Sequence, residues 1–413
     1  MHTSRRDLIK VGLSGLGIVS LGGTVPAFMS RFAFANPVAG SDVSNDNILV
    51  VVQLSGGNDG LNTVIPTGAG NEPYLKARPT LGLKDRTLRL DDTCALNPGM
   101  QPFKELFDDG QLAVINGCGY PQPNRSHFRS MEIWHTANPT DKYEPAGWLG
   151  HYVDHMLRGT SGLLSAVNIG PELPQALVAE KSAVPSIQSI DDFRIRTDPS
   201  APQDAQVKEK IIRDLNKAKS VSPALEYLSR QATNAIIEAD QIRKVTASYK
   251  PDAEYPYGLG QQLKLIAQLI TGNFGTKLFY CQTGGFDTHA SQVGTHERIL
   301  NGVAGSIRAF HKDMAAKGLG KKVTVMCFSE FGRRVNQNSS AGTDHGTAGP
   351  MFVSGAAVKG GVYGAYPSLT DLDNGDLKYT TDFRRIYATL LNNWLNADST
   401  TILKKKFEAV AFL

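Results

Sequence analysis

Runs of apolar residues without polar residues at alternate positions recur along this 413-residue chain. The clearest run, NILVVVQL at 47–54, breaks at once into the glycine-rich segment 55–60. Continuous apolar runs of this length are typical of strands that are buried on both faces of a parallel sheet. The sequence predicts such strands, the last two of them short, at 47–54, 112–116, 165–169, 277–282, 322–328, 351–354 and 361–363.

Segments between these runs place apolar residues among charged ones with the spacing of helices. Helices are predicted near 101–109 and at 129–136, 203–245, 259–273, 291–317 and 382–395. Strands that alternate with helices indicate an α/β fold with a central, mostly parallel sheet flanked by helices. We expect residues 47–413 to form one such domain, with a helical insertion at about 203–273 that caps the sheet.

The first 35 residues have the pattern of an export signal. An arginine pair at 5–6 precedes an uncharged apolar stretch at 11–25, and Ala33-Phe34-Ala35 supplies the small residues that signal peptidase accepts. The apolar stretch is shorter than the roughly 20 residues that span a bilayer. We expect a twin-arginine signal peptide at 1–35 and a polar tether at 36–46, with a Sec signal or an uncleaved anchor as the alternatives.

This signal predicts the partners and the location of the chain. The twin-arginine translocon and signal peptidase are the expected partners, and the product is a periplasmic or secreted protein with no membrane segment after cleavage. Because this translocon carries folded proteins, the signal also favours a metal or cofactor that is bound before export. Fast folding alone is the alternative.

The charge balance argues against a nucleic-acid partner. The chain has 43 Lys and Arg residues against 39 Asp and Glu residues, most of the excess lies within the predicted signal, and no basic stripe is present. Four cysteines are too few for a disulfide scaffold and lack a metal-binding spacing. Cys118, Cys281 and Cys327 fit buried apolar positions, whereas the sequence leaves a Cys94–Cys118 bridge open.

Side chains that can bind metal ions follow several of the predicted strands. In open α/β sheets, ligands gather at the carboxyl ends of the strands, and glycines allow the loops there to turn sharply. The candidate ligands of a divalent metal ion are Asp59, Asp287, His289, Glu330, Asp344 and His345. Imidazole and carboxylate ligands together suit Zn or Mn, whereas oxygen ligands alone suit Mg or Ca.

Each of these residues also has an ordinary structural interpretation. Asp59 lies in Asn-Asp-Gly, which is a common turn sequence. Asp287 and His289 fit a loop cap and a surface histidine, and Glu330 fits an ion pair with Arg333. Several such clusters at strand ends nevertheless predict a metal-binding or anion-binding site.

A nucleophile candidate lies in the segment 120–128, which leads into a predicted helix. Ser126 falls at or near the N-terminus of that helix, where free backbone N–H groups and the helix dipole favour an oxyanion or a phosphate. Arg125 is a candidate anion clamp, and His127 is a candidate metal ligand or general acid. The alternative is that Ser126 only caps the helix.

Four motifs resemble a known bacterial family. They are SGGNDGLNTVIP at 55–66, PNRSHF at 123–128, GGFDTH at 284–289 and SEFGRRVNQNSSAGTDHGTAG at 329–349. Together with the export signal, they resemble the family catalogued as domain of unknown function 1501 over essentially the whole chain. That family is remotely similar to the alkaline phosphatase and sulfatase superfamily.

The superfamily resemblance implies an alkaline phosphatase-like sheet with metal ions at the strand ends and a Ser, Thr or formylglycine nucleophile that caps a helix. Matched by motif, Asp59 corresponds to the metal aspartate after the first strand, and Ser126 corresponds to the nucleophile. The segments 287–289 and 344–345 correspond to the Asp/His pairs of two metal sites.

The chain departs from the superfamily pattern in three ways. Asp287 and His289 are two residues apart rather than four in the corresponding pair, no histidine follows His345, and the sulfatase Cys-x-Pro-x-Arg motif is absent. These departures argue against a full two-zinc site. They leave a single metal, a rearranged pair that uses His127 or Glu330, and an unreactive site as alternatives.

Two functional hypotheses follow from these residues. The first is an exported metal-dependent hydrolase that attacks a small phosphate or sulfate ester with Ser126. The second is a non-catalytic periplasmic protein that keeps the fold for binding or assembly. A redox or nucleotide-cofactor enzyme is disfavoured, because no GxGxxG follows the first strand and the cysteines are not clustered.

Overall fold

The structure is a computed structural model that describes residues 46–140, 142–157, 164–190 and 242–413, together with Val207 and Lys210. The predicted signal peptide at 1–35, the tether up to residue 45 and most of the predicted insertion lie outside the described residues. These three expectations therefore stay predictions.

Strands and helices alternate along the described chain, as the hydrophobic pattern predicts. In chain order the strands are β1 (Ile48–Leu54), β2 (Val64–Pro66), β3 (Leu88–Arg89), β4 (Cys94–Leu96), β5 (Leu112–Gly119), β6 (Ala166–Ile169), β7 (Ser186–Ile187), β8 (Leu278–Thr283), β9 (Val323–Phe328), β10 (Gly349–Ser354), β11 (Gly361–Tyr363), β12 (Leu372–Asp373), β13 (Asp376–Leu377) and β14 (Thr381–Asp382). The helices are α1 (Gly60–Thr63), α2 (Asn71–Ala77), α3 (Gln101–Asp108), α4 (His127–Thr136), α5 (Trp148–Tyr152), α6 (Leu259–Thr271), α7 (Gln292–Ala316), α8 (Phe383–Thr389) and α9 (Ser399–Leu403).

The central sheet has nine strands. Its order is β11-β5-β10-β9-β1-β8-β6-β7, and β14 also pairs with β5. Strand β1 lies in the middle and is parallel to both β8 and β9, with Val50 opposite Phe279 and Val325. Strand β10 is antiparallel to both of its neighbours, β5 and β9. The predicted α/β fold with a mostly parallel sheet is confirmed.

Both faces of the sheet are covered by helices. Val50 and Val52 belong to an apolar core that includes residues of α3, α6 and α7. Leu49 and Val51 belong to a second core, which includes residues of α4 and α8. Because successive side chains of a strand point to opposite faces, burial on both sides explains why β1 is apolar without alternation.

The predicted insertion at 203–273 is described mainly at its C-terminal end. There α6 packs against the sheet, with Leu263 and Ile266 fully buried in the first core.

All four cysteines are buried and free, so Cys94 and Cys118 are not bridged. Among the described helices, none combines the length and the apolar character that crossing a bilayer requires.

Three neighbouring parallel strands bring their following loops to one edge of the sheet. Strands β8, β1 and β9 end there, and the loop after β1 contains Gly56 and Gly57 at φ values of 118° and 73°. Residues with a Cβ rarely adopt such φ values. A Cβ on Gly56 would lie 2.5 Å from the backbone nitrogen of Asp287, so glycine also permits close approach to the loop after β8.

Candidate functional site

Four side chains, which we call the histidine cluster, converge at this edge of the sheet: His127 from the start of α4, Asp287 and His289 from the loop after β8, and His345 from the loop after β9. Asp287 Oδ1 lies 3.0 Å from Nε2 of His289 and 3.1 Å from Nε2 of His345. The Nε2 atoms of His289 and His345 are 3.0 Å apart. His127 Nε2 lies 3.6 Å from Asp287 Oδ2.

The other ring nitrogen of each histidine, Nδ1, is bound to an oxygen atom. The acceptors are Glu330 Oε1 for His127 at 2.8 Å, Asp344 Oδ1 for His289 at 3.0 Å and the carbonyl oxygen of Arg125 for His345 at 2.9 Å. An ionised carboxylate or a carbonyl oxygen only accepts, so each Nδ1 donates and the lone pair is left on Nε2. This is the orientation in which proteins hold metal-binding histidines.

Three residues of the cluster, His127, Asp287 and His345, have ligand atoms close enough together to hold one divalent metal ion. Bonds of about 2.0–2.1 Å in a tetrahedral zinc site place neighbouring ligand atoms roughly 3.3 Å apart. Asp287 Oδ1 lies at 3.0 and 3.1 Å from the Nε2 atoms of His289 and His345, near this value. His127 Nε2 lies 3.6 Å from the other carboxylate oxygen, Oδ2. Three imidazoles and a carboxylate suit Zn and similar transition metals, whereas Mg and Ca prefer oxygen ligands.

The buried guanidinium of Arg333 holds the loops around the cluster in place. It donates to Gly57 O at 2.7 Å, Thr343 O at 2.8 Å, Phe286 O at 3.0 Å and Asp287 Oδ1 at 2.5 Å. These acceptors belong to the loops after β1, β8 and β9. One side chain thus links all three strand-end loops.

Glu330 and Arg333 have different partners in the structure and do not form the ion pair with each other that the sequence left open. Arg333 binds Asp287, and Glu330 binds His127. Glu330 also accepts from the backbone nitrogen of Gly56 at 2.8 Å. Because the Arg333 guanidinium binds the strand-end loops, Glu330 is available to orient the imidazole of His127.

Two carboxyl groups of the site are held in their anionic form. Burial raises the pKa of Asp287, but the hydrogen bond and the positive charge of Arg333 help to lower this pKa to about 2. The hydrogen bond with Glu330 raises the pKa of His127. Burial likewise opposes ionisation of Glu330, but the hydrogen bond from His127 contributes to a lowered pKa. The negative charge favours a cation at the cluster.

Asp59, the predicted ligand after the first strand, binds Arg78. Its Oδ2 lies 2.5 Å from Nη1 of Arg78, and both side chains are fully buried. Arg78 also donates to the carbonyl oxygens of Val335 at 3.0 Å and Arg334 at 2.9 Å. Although burial raises the pKa of Asp59, the charge and hydrogen bond of Arg78 act together with Gln292 and His296 to lower it. A metal-ligand role for Asp59 stays a prediction.

The remaining predicted residues surround the cluster. Glu330 and Asp344 contact the Nδ1 atoms of cluster histidines, so their own roles as ligands stay predictions. Ser126 is exposed at the N-cap of α4, directly before His127, and its side chain makes no capping hydrogen bond. The Arg125 side chain is half-exposed and lies 3.6 Å from Asp376.

Two surface grooves meet at Glu330. One, of about 580 Å³, is also lined by His127, Phe128 and Asp287. The other, of about 420 Å³, is lined by residues that include Phe331 and Asp376. The cluster is therefore accessible to small molecules, in keeping with the 49% exposure of the Asp287 side chain.

The sequence patterns indicated no role for Arg78 and, for Arg333, only an ion pair with Glu330. Arg333 follows strand β9 by a few residues, and its position near a strand end was a usable signal. Arg78 follows α2 and is not part of a strand-end loop. Its pairing with Asp59 depends on the tertiary fold, so no local pattern could have revealed it.

The chain belongs to the family described as Protein of unknown function (DUF1501), which matches residues 46–405. The resemblance carried by the four motifs is therefore confirmed. Among curated proteins, no match to this chain is found.

The chain is also similar to solved structures at low sequence identity. The C-terminal periplasmic domain of EcEptC from Escherichia coli, in complex with Zn, matches with 9% identity and a TM-score of 0.36, over 78% of this chain and 77% of that chain. The alkaline phosphatase from the Antarctic bacterium TAB5 matches with 10% identity and a TM-score of 0.29, over 77% and 94%. The PsFucS1 sulfatase from Pseudoalteromonas sp. matches with 12% identity and a TM-score of 0.35, over 89% and 71%.

Proposed function

We propose that this protein is an exported, metal-dependent hydrolase of small anionic esters that carry a phosphate or sulfate group. The observation that supports this proposal most strongly is the orientation of three imidazoles, each anchored at Nδ1 and each presenting Nε2 to the same carboxylate. The ligands in this proposal are His127, Asp287, His289 and His345, and the metal is Zn or a similar transition metal.

A metal ion at the cluster supplies positive charge that stabilises the anionic ester in the transition state. The protein's own residues orient the reacting groups. Glu330, Asp344 and the Arg125 carbonyl keep a proton on Nδ1 of each imidazole, so that Nε2 carries the lone pair that a ligand atom needs. Arg333 fixes the three loops and adds a buried positive charge beside Asp287.

Ser126 is the nucleophile in this proposal. Its Oγ forms a bond to phosphorus or sulfur while the bond from that atom to the leaving alcohol's oxygen breaks, and the hydroxyl proton ends on the alcohol. Water then cleaves the seryl ester, which releases the inorganic anion and restores Ser126. The free N–H groups in the first turn of α4 provide donors for the anion.

Metal analysis combined with an ester panel tests this function. The protein is purified without chelators, its metal content is measured, and it is assayed with p-nitrophenyl phosphate, bis(p-nitrophenyl) phosphate and p-nitrophenyl sulfate. We expect metal-dependent hydrolysis of at least one ester and its loss in Ser126→Ala. Hydrolysis that Ser126→Ala leaves unchanged would remove this serine from the mechanism.

One observation favours a second function. The ion pair between Arg333 and Asp287 neutralises a carboxylate of the cluster from within the protein. A non-catalytic periplasmic protein that keeps the fold for binding or assembly is consistent with this pairing. Purified protein without metal, whose Tm does not change on addition of Zn²⁺, would support the second function over the hydrolase.

A further inference from the structure

Gln292 connects the two loops that carry most of the histidine cluster. It is the first residue of α7, and its side chain is fully buried. Its Oε1 accepts from the hydroxyl of Thr288 at 2.9 Å and from the hydroxyl of Thr343 at 2.6 Å. Thr288 lies between Asp287 and His289, and Thr343 is two residues before His345.

The orientation of the Gln292 amide is fixed by its third partner. Nε2 donates to Asp59 Oδ2, which also binds Arg78. Since an ionised carboxylate only accepts, the NH₂ group must face Asp59, and Oε1 must face the two threonines. A buried chain of contacts therefore runs from Arg78 through Asp59 and Gln292 to both loops.

We infer that Gln292 is a positioning residue for the metal site, and that Asp59 supports the site through Gln292. This inference rests on the metal site proposed above. Removing the amide leaves two buried hydroxyls and a carboxylate oxygen without their shared partner, which is costly in a buried network. The loops can then relieve that cost by moving apart, which separates His345 from Asp287 and His289.

The test measures the affinity and the spectrum of Co²⁺ bound to the full chain. Cobalt absorption in the visible range reports the geometry of its ligands. Gln292→Met keeps the volume of the side chain and removes the amide, and Thr343→Val removes a single hydroxyl. Thr389→Val is the matched control, because Thr389 is equally buried but hydrogen-bonds to Arg385 and Val410, away from the cluster.

We expect Gln292→Met to weaken Co²⁺ binding by about tenfold, the lower end of what outer-shell partners of metal ligands contribute. Thr343→Val should weaken it less and shift the spectrum in the same direction. Thr389→Val should leave both affinity and spectrum unchanged, even if it lowers Tm as much as Thr343→Val does. This pattern separates positioning of the ligands from a general loss of stability.

The outcomes distinguish this inference from the proposed function. Wild-type protein that binds no Co²⁺ overturns the proposed metal site and this inference together. Wild-type binding that Gln292→Met and Thr343→Val leave unchanged overturns the role of Gln292 alone. If Gln292→Met does not fold, Thr343→Val compared with Thr389→Val decides the question by itself.

Discussion

Asp59 and Asp287 both lie in glycine-rich loops after neighbouring parallel strands, yet the structure gives them different surroundings. The Asp59 side chain is fully buried and binds the guanidinium of Arg78. The Asp287 side chain is 49% exposed and faces three imidazoles as well as Arg333. One carboxylate is enclosed within the protein, and the other is open to solvent.

The comparison shows that the position of a carboxylate at a strand end does not by itself decide its partners. What differs is the set of partners that the tertiary fold brings to it. Asp59 pairs with Arg78 inside the protein, whereas the histidine cluster presents its imidazoles and Asp287 at the surface. We therefore expect changes at the first region to affect stability most, and changes at the second to affect metal binding most.

The largest effect is expected from Arg78→Met. This change leaves the Asp59 carboxylate buried without its cation, and breaking a buried pair in this way costs about 3–5 kcal/mol. Urea unfolding of the variant should show this loss in the free energy of unfolding. The double variant Asp59→Asn/Arg78→Met should be less destabilised, since no unpaired charge remains; an equal or larger loss would contradict the ion-pair account.

Mild acid should destabilise the buried region through His296. This side chain is fully buried, and its Nε2 contacts Asn58. Burial lowers its pKa to about 4; the negative charge of Asp59 opposes this shift, and the positive charges of Arg78 and Arg333 add to it. Between about pH 6.5 and pH 4 the unfolded chain binds a proton that the folded chain does not. Stability from this group is therefore complete above pH 6.5 and falls as the pH decreases.

The size of the His296 effect follows from the pKa difference. A shift from 6.5 to about 4 corresponds to roughly 3 kcal/mol by pH 4, as an upper value. His296→Gln removes the titrating group, so the loss of stability between pH 7 and pH 4.5 should be smaller in the variant. Urea unfolding at several pH values measures this difference, and parallel curves for both proteins would exclude His296 as a contributor.

A smaller effect is expected at the open region from Asp344→Ala. This change removes the acceptor that orients His289 through Nδ1. Loss of such a partner typically weakens metal binding by about 10–100-fold. Competition with a chromophoric chelator measures the Zn²⁺ affinity, with Asp92→Ala as an exposed carboxylate control. Equal affinities of Asp344→Ala and the control would show that Asp344 does not orient a ligand.

Much of the fold could be predicted from the apolar runs. Strand β1 was predicted at 47–54 and spans Ile48–Leu54, because burial on both faces requires an unbroken apolar sequence. Helix α4 begins at His127, two residues before the predicted start at 129. Helix ends are less predictable, because the first turn is fixed by its contacts as much as by its sequence.

The candidate site was predictable as a set of residues but not as a set of contacts. The glycine-rich loops at the strand ends correctly predicted that Asp287, His289 and His345 lie in one region. The pairing of Asp59 with Arg78 and that of Glu330 with His127 depend on residues that are 19 and 203 positions apart in the chain. A local motif carries no information about such distant partners.

The central claim is that His127, Asp287, His289 and His345 hold a metal ion. Its most direct test is elemental analysis of the purified protein after incubation with Zn²⁺ and removal of excess metal, with His345→Ala and His155→Ala compared in parallel. His155 is an exposed histidine outside the cluster. We predict one zinc ion per chain in the wild type and in His155→Ala, and loss of that ion in His345→Ala with the fold retained. Equal zinc contents in His345→Ala and the wild type would contradict the account.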